Sequence, residues 1–493
     1  MRTYHHYFPT GLELPFLILY VQGNRPIGRT AVARQRTIQR SRKDTKMSRK
    51  SPLASALVPV LALVLSACGP QPAAPPTTVL SPAGPTATTA VANPTSTTPA
   101  GSELSGTVSF WTAYNTVSPE MKTLTEEIIP SFNKKYPNIK VDARALPYDE
   151  LRQKLLTAIA GGETPDLVRA DIIWVPEFAE LGALVKLDEA MPDFNTYKDA
   201  VYPGPLSTNF YKGNYYGLPL DTNTRVLIYN TQVFKDAGIS APPRTFEELE
   251  AACEKVRAMN KPETYCYAEG GTGPWNVLPW IWSAGGDITD PQYTRASGYV
   301  NSQKTVDAIT MLKKWLDKGY LSPGILGGGI ATSEAIGKGQ AAMILDGPWM
   351  PPIFKEQFPD LKYEMALVPA GPGGSASVVG GEDIVLFEAS KNKEAALAFL
   401  RFMLGEEAQT ALGKVGQMPV LKSLAGNPQL PEYYSVFQEQ IKTAKARTPS
   451  PAWPKIDEAL NNAVLQVLRG EKQPKAALDE VATVIDGLLA GKR

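Results

Sequence analysis

PLDTNTRVLIYNTQVFKD, residues 219–236, follows an aromatic run, YKGNYYGLPL, at 211–220. The run ends in a Gly-Leu-Pro turn. VLIYN is then a short apolar strand closed by Tyr229 and Asn230, and TQVFKDAGI opens a helix. A polar turn, a buried strand and a helix in that order make a βα unit. In open α/β sheets such turns sit outside the carboxyl ends of strands, where ligands bind. Asp221 and Asn223, at the mouth of the turn, are therefore candidate ligand contacts, whereas Tyr229 and Asn230 fix the end of the strand.

The same pattern repeats on both sides. Towards the N-terminus, GTVSFWTAY (106–114) reads as a strand and 119–137 as a helix. IKVDARA (139–145) is the next strand, followed by an amphipathic helix stopped by Gly161-Gly162 and a strand over 166–169. Towards the C-terminus, TFEELEAACEKVRAMN (245–260) is a helix with a Thr cap, and 302–320 is another. Residues 334–350 give a helix, a strand and a turn, SASVVGGEDIVLF (375–387) is strand-like, and the sequence from Lys393 is largely helical, with a Met-Pro turn at 418–419. Strand–helix–strand spacing of this kind implies a mostly parallel sheet with right-handed crossovers. The expected fold is α/β with two lobes, each a mostly parallel sheet flanked by helices, and backbone passing between them more than once.

Composition narrows the chemistry. The protein has 493 residues and a net charge of +1, but its first 67 residues hold 11 of the 50 Lys/Arg and 2 of the 49 Asp/Glu. The remaining 39 basic and 47 acidic residues give a body of charge −8, which argues against nucleic acid as a partner. The two histidines are His5 and His6, so the body has no Ser-His-Asp triad, His-ligated zinc or His base. Three cysteines are too few for a four-thiolate zinc site or an iron–sulfur cluster, and no GxxxxGK[ST] motif occurs. No metal and no cofactor is expected.

The N-terminal region reads as export machinery. Residues 1–46 are basic and lack convincing apolar periodicity, either an over-extended gene start or an unstructured extension. Met47-Ser-Arg-Lys and the apolar run to Ala67 have the form of a signal peptide, 47–67. Leu65-Ser66-Ala67-Cys68 resembles the bacterial lipobox, in which the Cys carries lipid; the bland alternative is a buried Cys closing an apolar helix. The Pro/Thr/Ala/Ser stretch that completes 68–103 cannot bury enough apolar area to offset its ordering entropy and reads as a tether. In an exported protein, Cys253 and Cys266 are a possible disulfide, the alternative being two reduced, buried thiols.

Pro219, Asp221, Val226, Tyr229, Asn230, Phe234 and Asp236 together carry a second message. Their pattern resembles the signature of family 1 extracellular solute-binding proteins, the sugar-binding subunits of ABC importers with the maltose-binding protein as archetype. The resemblance extends over 105–493. It implies a periplasmic-binding-protein type II-like fold with a ligand cleft between lobes and hinge crossings near 220–223, 369–380 and 416–421. The lobes would be 104–220 plus 380–416 and 221–370 plus 421–493. It further implies a monomer that binds a sugar, hands it to permease subunits in the membrane, and is held by lipid at the outer face of the cell membrane or lies in the periplasm.

Sugar recognition needs flat aromatic faces for the C–H faces of pyranose rings, and carboxylates or amides for the hydroxyls. By position in the family the first contacts fall on Trp111, Tyr114 and Asn115, then on Asp171, whose offset differs from the archetype's, and Trp174. Trp275, Trp349 in its Gly-Pro-Trp turn, and Trp453 match the stacking aromatics, and Gly380 and Gly381 fall where backbone approaches ligand. Glu382 is a candidate that reads equally well as a solvated strand start. Trp315, Trp280 and Trp282 read as core. Several Trp point to an oligosaccharide such as an α-glucoside, and the lack of clustered Arg/Lys in the candidate loops argues against a sugar phosphate. Two other functions share these residue types: a surface glycoside hydrolase, and a sensor or adhesin using the same fold without transport.

Overall fold

The computed structural model describes residues 104–116 and 118–491. The expected N-terminal extension, signal peptide, Cys68 and tether lie outside the described residues. Twelve strands are present among the described residues: β1 (Gly106–Thr112), β2 (Ile139–Ala145), β3 (Leu167–Asp171), β4 (Phe210–Tyr211), β5 (Asn214–Tyr215), β6 (Leu218–Thr224), β7 (Val226–Asn230), β8 (Tyr265–Ala268), β9 (Ala341–Asp346), β10 (Tyr363–Ala366), β11 (Ser377–Leu386) and β12 (Ala444–Lys445).

Two lobes form around two sheets. In the first, β2, β1 and β3 are parallel, and β11 joins β3 antiparallel with Glu382 opposite Asp171. Phe110, Phe132 and Phe399 pack edge-to-face in its core, at 5.6 and 5.1 Å between ring centroids. Leu421 and Leu424 belong to the same core. The second sheet has the order β10-β7-β9-β8, and only its β8/β9 pair is parallel. The expectation of a mostly parallel sheet therefore needs correction in the second lobe. Strand β7 follows β6 after Arg225 alone, so no crossover helix sets its direction, and both its neighbours run against it.

The stretch at 219–223 is not a turn. It is strand β6, buried at every residue and paired antiparallel with β11. Its two threonines are satisfied within that ladder: Thr222 Oγ1 donates to the Gly380 carbonyl (3.4 Å) and Thr224 Oγ1 to that of Val378 (2.8 Å). Partners of this kind let a polar sequence occupy a buried strand. A third passage runs alongside, where the Thr222 N–H donates to the Met418 carbonyl at 3.1 Å. Beyond β7, the Asn230 side chain accepts from the N–H groups of Gln232 and Val233, both at 3.0 Å, and so caps the helix Thr231–Asp236.

One local reading differs in detail. The helix expected at 119–137 is broken by a π-helical turn, Leu124–Ile128, just before Pro130, which has no N–H to give to an α-helical ladder. PWNVLPWIWS is the helix Pro274–Ser283, and its Trp280 and Trp282 are buried as expected. Cys253, on the helix Phe246–Ala258, and Cys266, on β8, form a disulfide with Cα atoms 5.0 Å apart.

Candidate functional site

Where β6 and β11 run together between the lobes, the backbone leaves a cavity of about 640 Å³. Its floor is polar and comes from the crossing strands: Asn223, Gly380, Gly381 and Glu382, with Gln417 beside them. Tyr148, Asp171 and Trp174 line the side of the first lobe. Trp275, Trp349 and Arg447 line the other.

Trp275 and Trp349 form one aromatic surface, with ring centroids 6.3 Å apart and planes at 29°. Local sequence sets both rings. Trp275 is the second residue of a helix that starts at Pro274, where a missing N–H costs nothing. Its ring lies so close to Gly380 that a Cβ there would be 2.8 Å from the indole and 2.2 Å from Asn223 Oδ1. The Trp349 ring folds over Gly347 in the same way, 2.2 Å from where a Cβ would stand. Glycine at both places is a requirement of close approach. Arg225 Nη1 donates to the Trp275 carbonyl at 3.0 Å, and the guanidinium carbons of Arg225 and Arg447 lie 5.7 and 5.5 Å from the Trp275 ring centroid. Across the cleft, Tyr148 and Trp174 pair at 5.3 Å and 33°.

Most charged groups around the cavity are paired with one another. Arg169, 5 % exposed, lies 2.9 Å from Asp221 Oδ2 and 2.7 Å from Glu382 Oε2, donates to Gln417 Oε1 at 2.7 Å, and stacks on the Tyr114 ring at 4.5 Å. Burial pushes the Glu382 carboxyl well above the usual range, with the Asp221 charge adding to it and Arg169 opposing. Glu120 is likewise raised by burial; it accepts from the Asn115 N–H (2.8 Å) and Gln417 Nε2 (2.9 Å). Asp171 is hydrogen-bonded at both oxygens. It accepts from Tyr148 Oη (2.5 Å), the Ile173 N–H (3.0 Å) and Arg447 Nη2 (3.0 Å). Arg152 forks onto Glu177 at 2.7–3.0 Å.

Nine of the residues singled out in the sequence line this cavity: Asn115, Asp171, Trp174, Asn223, Trp275, Trp349, Gly380, Gly381 and Glu382. Four do not. Trp111 packs beside the core of the first lobe. Tyr114, 2 % exposed, is the shelf on which Arg169 rests, and Asp221 is that arginine's buried ion-pair partner. Trp453 is fully buried in the second core because its helix, Trp453–Leu468, turns that face inward with Ile456 and Leu460. Pro454 and Asp457 on the same helix reach the cavity instead.

The arginines were missed in the sequence. Arg152, Arg169 and Arg447 all line the cleft, from a helix, a strand and an irregular segment, and each is committed to a carboxylate. Arg169 carried a signal. A lone Arg inside the buried strand LVRAD demands a buried counter-charge. Arg447, in an irregular segment with no periodic frame, carried none.

An α/β protein with two lobes, three adjacent crossings of the backbone and an aromatic-walled cleft above them is of the type II periplasmic-binding class. The chain belongs to the bacterial extracellular solute-binding protein family, whose model matches residues 115–410. A putative binding protein of Brucella abortus is 29 % identical over 376 residues, spanning 74 % of this chain and 89 % of that one. The maltotriose-binding protein of Pyrococcus abyssi is 27 % identical over 385 residues, 75 % of this chain and 79 % of the relative. Among solved structures, an ABC transporter solute-binding protein from Thermotoga lettingae bound with α-D-tagatose is 29 % identical, with a TM-score of 0.72 over 78 % of this chain and all of that one. Among the described residues no helix is long and apolar enough to cross a membrane.

Proposed function

We propose that this protein is the sugar receptor of an ABC importer, taking an oligosaccharide such as an α-glucoside between its lobes and handing it to the membrane permease. The observation that carries this reading is the Trp275–Trp349 surface, partly exposed to a cavity whose floor offers amide, carboxylate and backbone groups. Pyranose rings present an apolar C–H face to such a surface and hydroxyls to such a floor. Two indoles side by side cover more than one ring, and about 640 Å³ lies within the usual range of small-molecule sites. Relatives that bind maltotriose and α-D-tagatose support the same chemistry.

Delivery follows from the hinge. Sugar contacts made with both lobes at once stabilise the closed arrangement, and the population shifts towards it. The Arg447–Asp171 bridge joins the two walls and contributes to that state. Export through the 47–67 signal and lipid on Cys68 would hold the receptor beside its permease.

Calorimetric titration with malto-, galacto- and arabino-oligosaccharides tests the reading. The expected result is saturable binding of at least one series, with no sugar released on prolonged incubation. Heat signals at baseline for every series contradict a sugar receptor, and release of reducing ends favours a hydrolase.

A further inference from the structure

The three arginines of the cleft are neutralised by partners: Arg152 by Glu177, Arg169 by Asp221 and Glu382, Arg447 by Asp171. Among the described residues lining it there is no lysine. The carboxylates are not matched in the same way. The Asp457 carboxylate lines the cavity and makes no hydrogen bond or ion pair with any described residue, and the Asp149 side chain, at the exposed rim, makes none either.

Asp457 is held firmly. It sits one turn into the helix Trp453–Leu468, anchored by the wholly buried Trp453 and Ile456 on either side of Pro454. Gly273 faces it, and a Cβ there would be only 3.9 Å from the Asp457 carboxylate oxygen. The charged groups that act on it are Arg447, Asp171 and Arg152, the first two already joined to each other. An anion entering this cleft finds no uncommitted cation among the described residues and meets a fixed negative charge. A neutral sugar meets an acceptor with free lone pairs, and a protonated amine meets a counter-charge.

We propose that the cleft selects its sugar by charge, with Asp457 as the specificity-determining residue that turns away acidic sugars and admits neutral and amino sugars. This rests on the sugar-receptor reading. The discrimination is electrostatic, a like-charge juxtaposition in a partly desolvated site, which costs far more affinity than the loss of one hydrogen bond. Burial holds the carboxyl up at about 6, so it is ionised at neutral pH and the selection operates there.

The test titrates the protein at pH 7.5 with matched oligosaccharides in the gluco and galacto series: neutral, carrying one uronate, and carrying one 2-amino group. Neutral and amino forms should bind alike or with the amino form tighter, and uronates at least ~30-fold more weakly. Asp457→Asn, which keeps the shape and removes the charge, should shrink the neutral-to-uronate ratio by about tenfold, and adding Asp149→Asn should shrink it little further. Uronates binding within threefold of neutral sugars overturn the proposal, as does a ratio unmoved in Asp457→Asn. If no member of any set binds, the receptor reading itself falls, and the selectivity with it. Raising salt should also narrow the ratio, and a ratio independent of salt contradicts an electrostatic origin.

Discussion

The second lobe holds two groups of tryptophan packed in opposite ways. In its core, Trp280 meets Trp315 at 5.1 Å and 90°, and Tyr267 meets Trp280 at 5.2 Å and 82°, all buried. At the cleft, Trp275 and Trp349 lie nearly parallel, partly exposed, each ring resting on a glycine. Edge-to-face packing uses both the faces and the rims of the rings and leaves none for a ligand. A tilted parallel pair leaves a face open. One residue type thus does two jobs within one lobe, and interplanar angle with glycine support tells them apart.

That contrast can be broken by substitution. Trp315→Ala should cost about 4 kcal/mol of stability through the cavity it leaves, while the protein that remains folded keeps its sugar affinity; urea unfolding and calorimetry on the same preparation check both halves. Trp349→Ala should do the reverse. It should lower sugar affinity by about 3 kcal/mol, roughly a hundredfold, with little change in the unfolding midpoint. Gly380→Ala attacks the support under the pair: its Cβ would overlap the Trp275 ring and Asn223, so affinity should fall by about 2 kcal/mol and the near-ultraviolet dichroism of Trp275 should change.

The smallest expected effect concerns charge at the edge of the same surface. Burial, more than its neighbours' charges, raises Asp457 to about 6, so between roughly pH 4 and 6 the folded protein holds a proton that the unfolded state releases. Asp457 therefore makes the ligand-free protein lose stability as pH rises through that window. Asp457→Asn should remove the loss, a gain at pH 7 that shrinks towards zero below pH 4. A thermal-shift series across pH would show it, and a gain that grows on acidification would contradict the sign.

The two kinds of tryptophan also mark how far the sequence could be read. VLIYN, the Thr245-capped helix and the SASVVGGEDIVLF strand are set by local pattern, and the structure contains them. Trp349 was separable from Trp315 because Gly-Pro-Trp is a turn and Trp315 sits mid-helix among apolar neighbours. Trp453 was not separable. Whether the first residue of a helix faces core or cleft depends on how that helix docks, which no local pattern records. LDTNT at 220–224 misled for a related reason: a run of short polar residues reads as a turn unless the partners in β11 are known. Arg447 and Asp457 reach the cleft only because the segment that follows the third crossing folds back over the second lobe, a tertiary fact with no periodic trace.

Central to this account is that the ligand lies on the Trp275–Trp349 face. A crystal structure of the protein grown with the oligosaccharide that binds best tests this most directly. The account predicts a pyranose ring packed flat against that face, with hydroxyls turned to Asn223, Glu382 and Asp457. Sugar density elsewhere in the cleft, with those indole faces left bare, would contradict it.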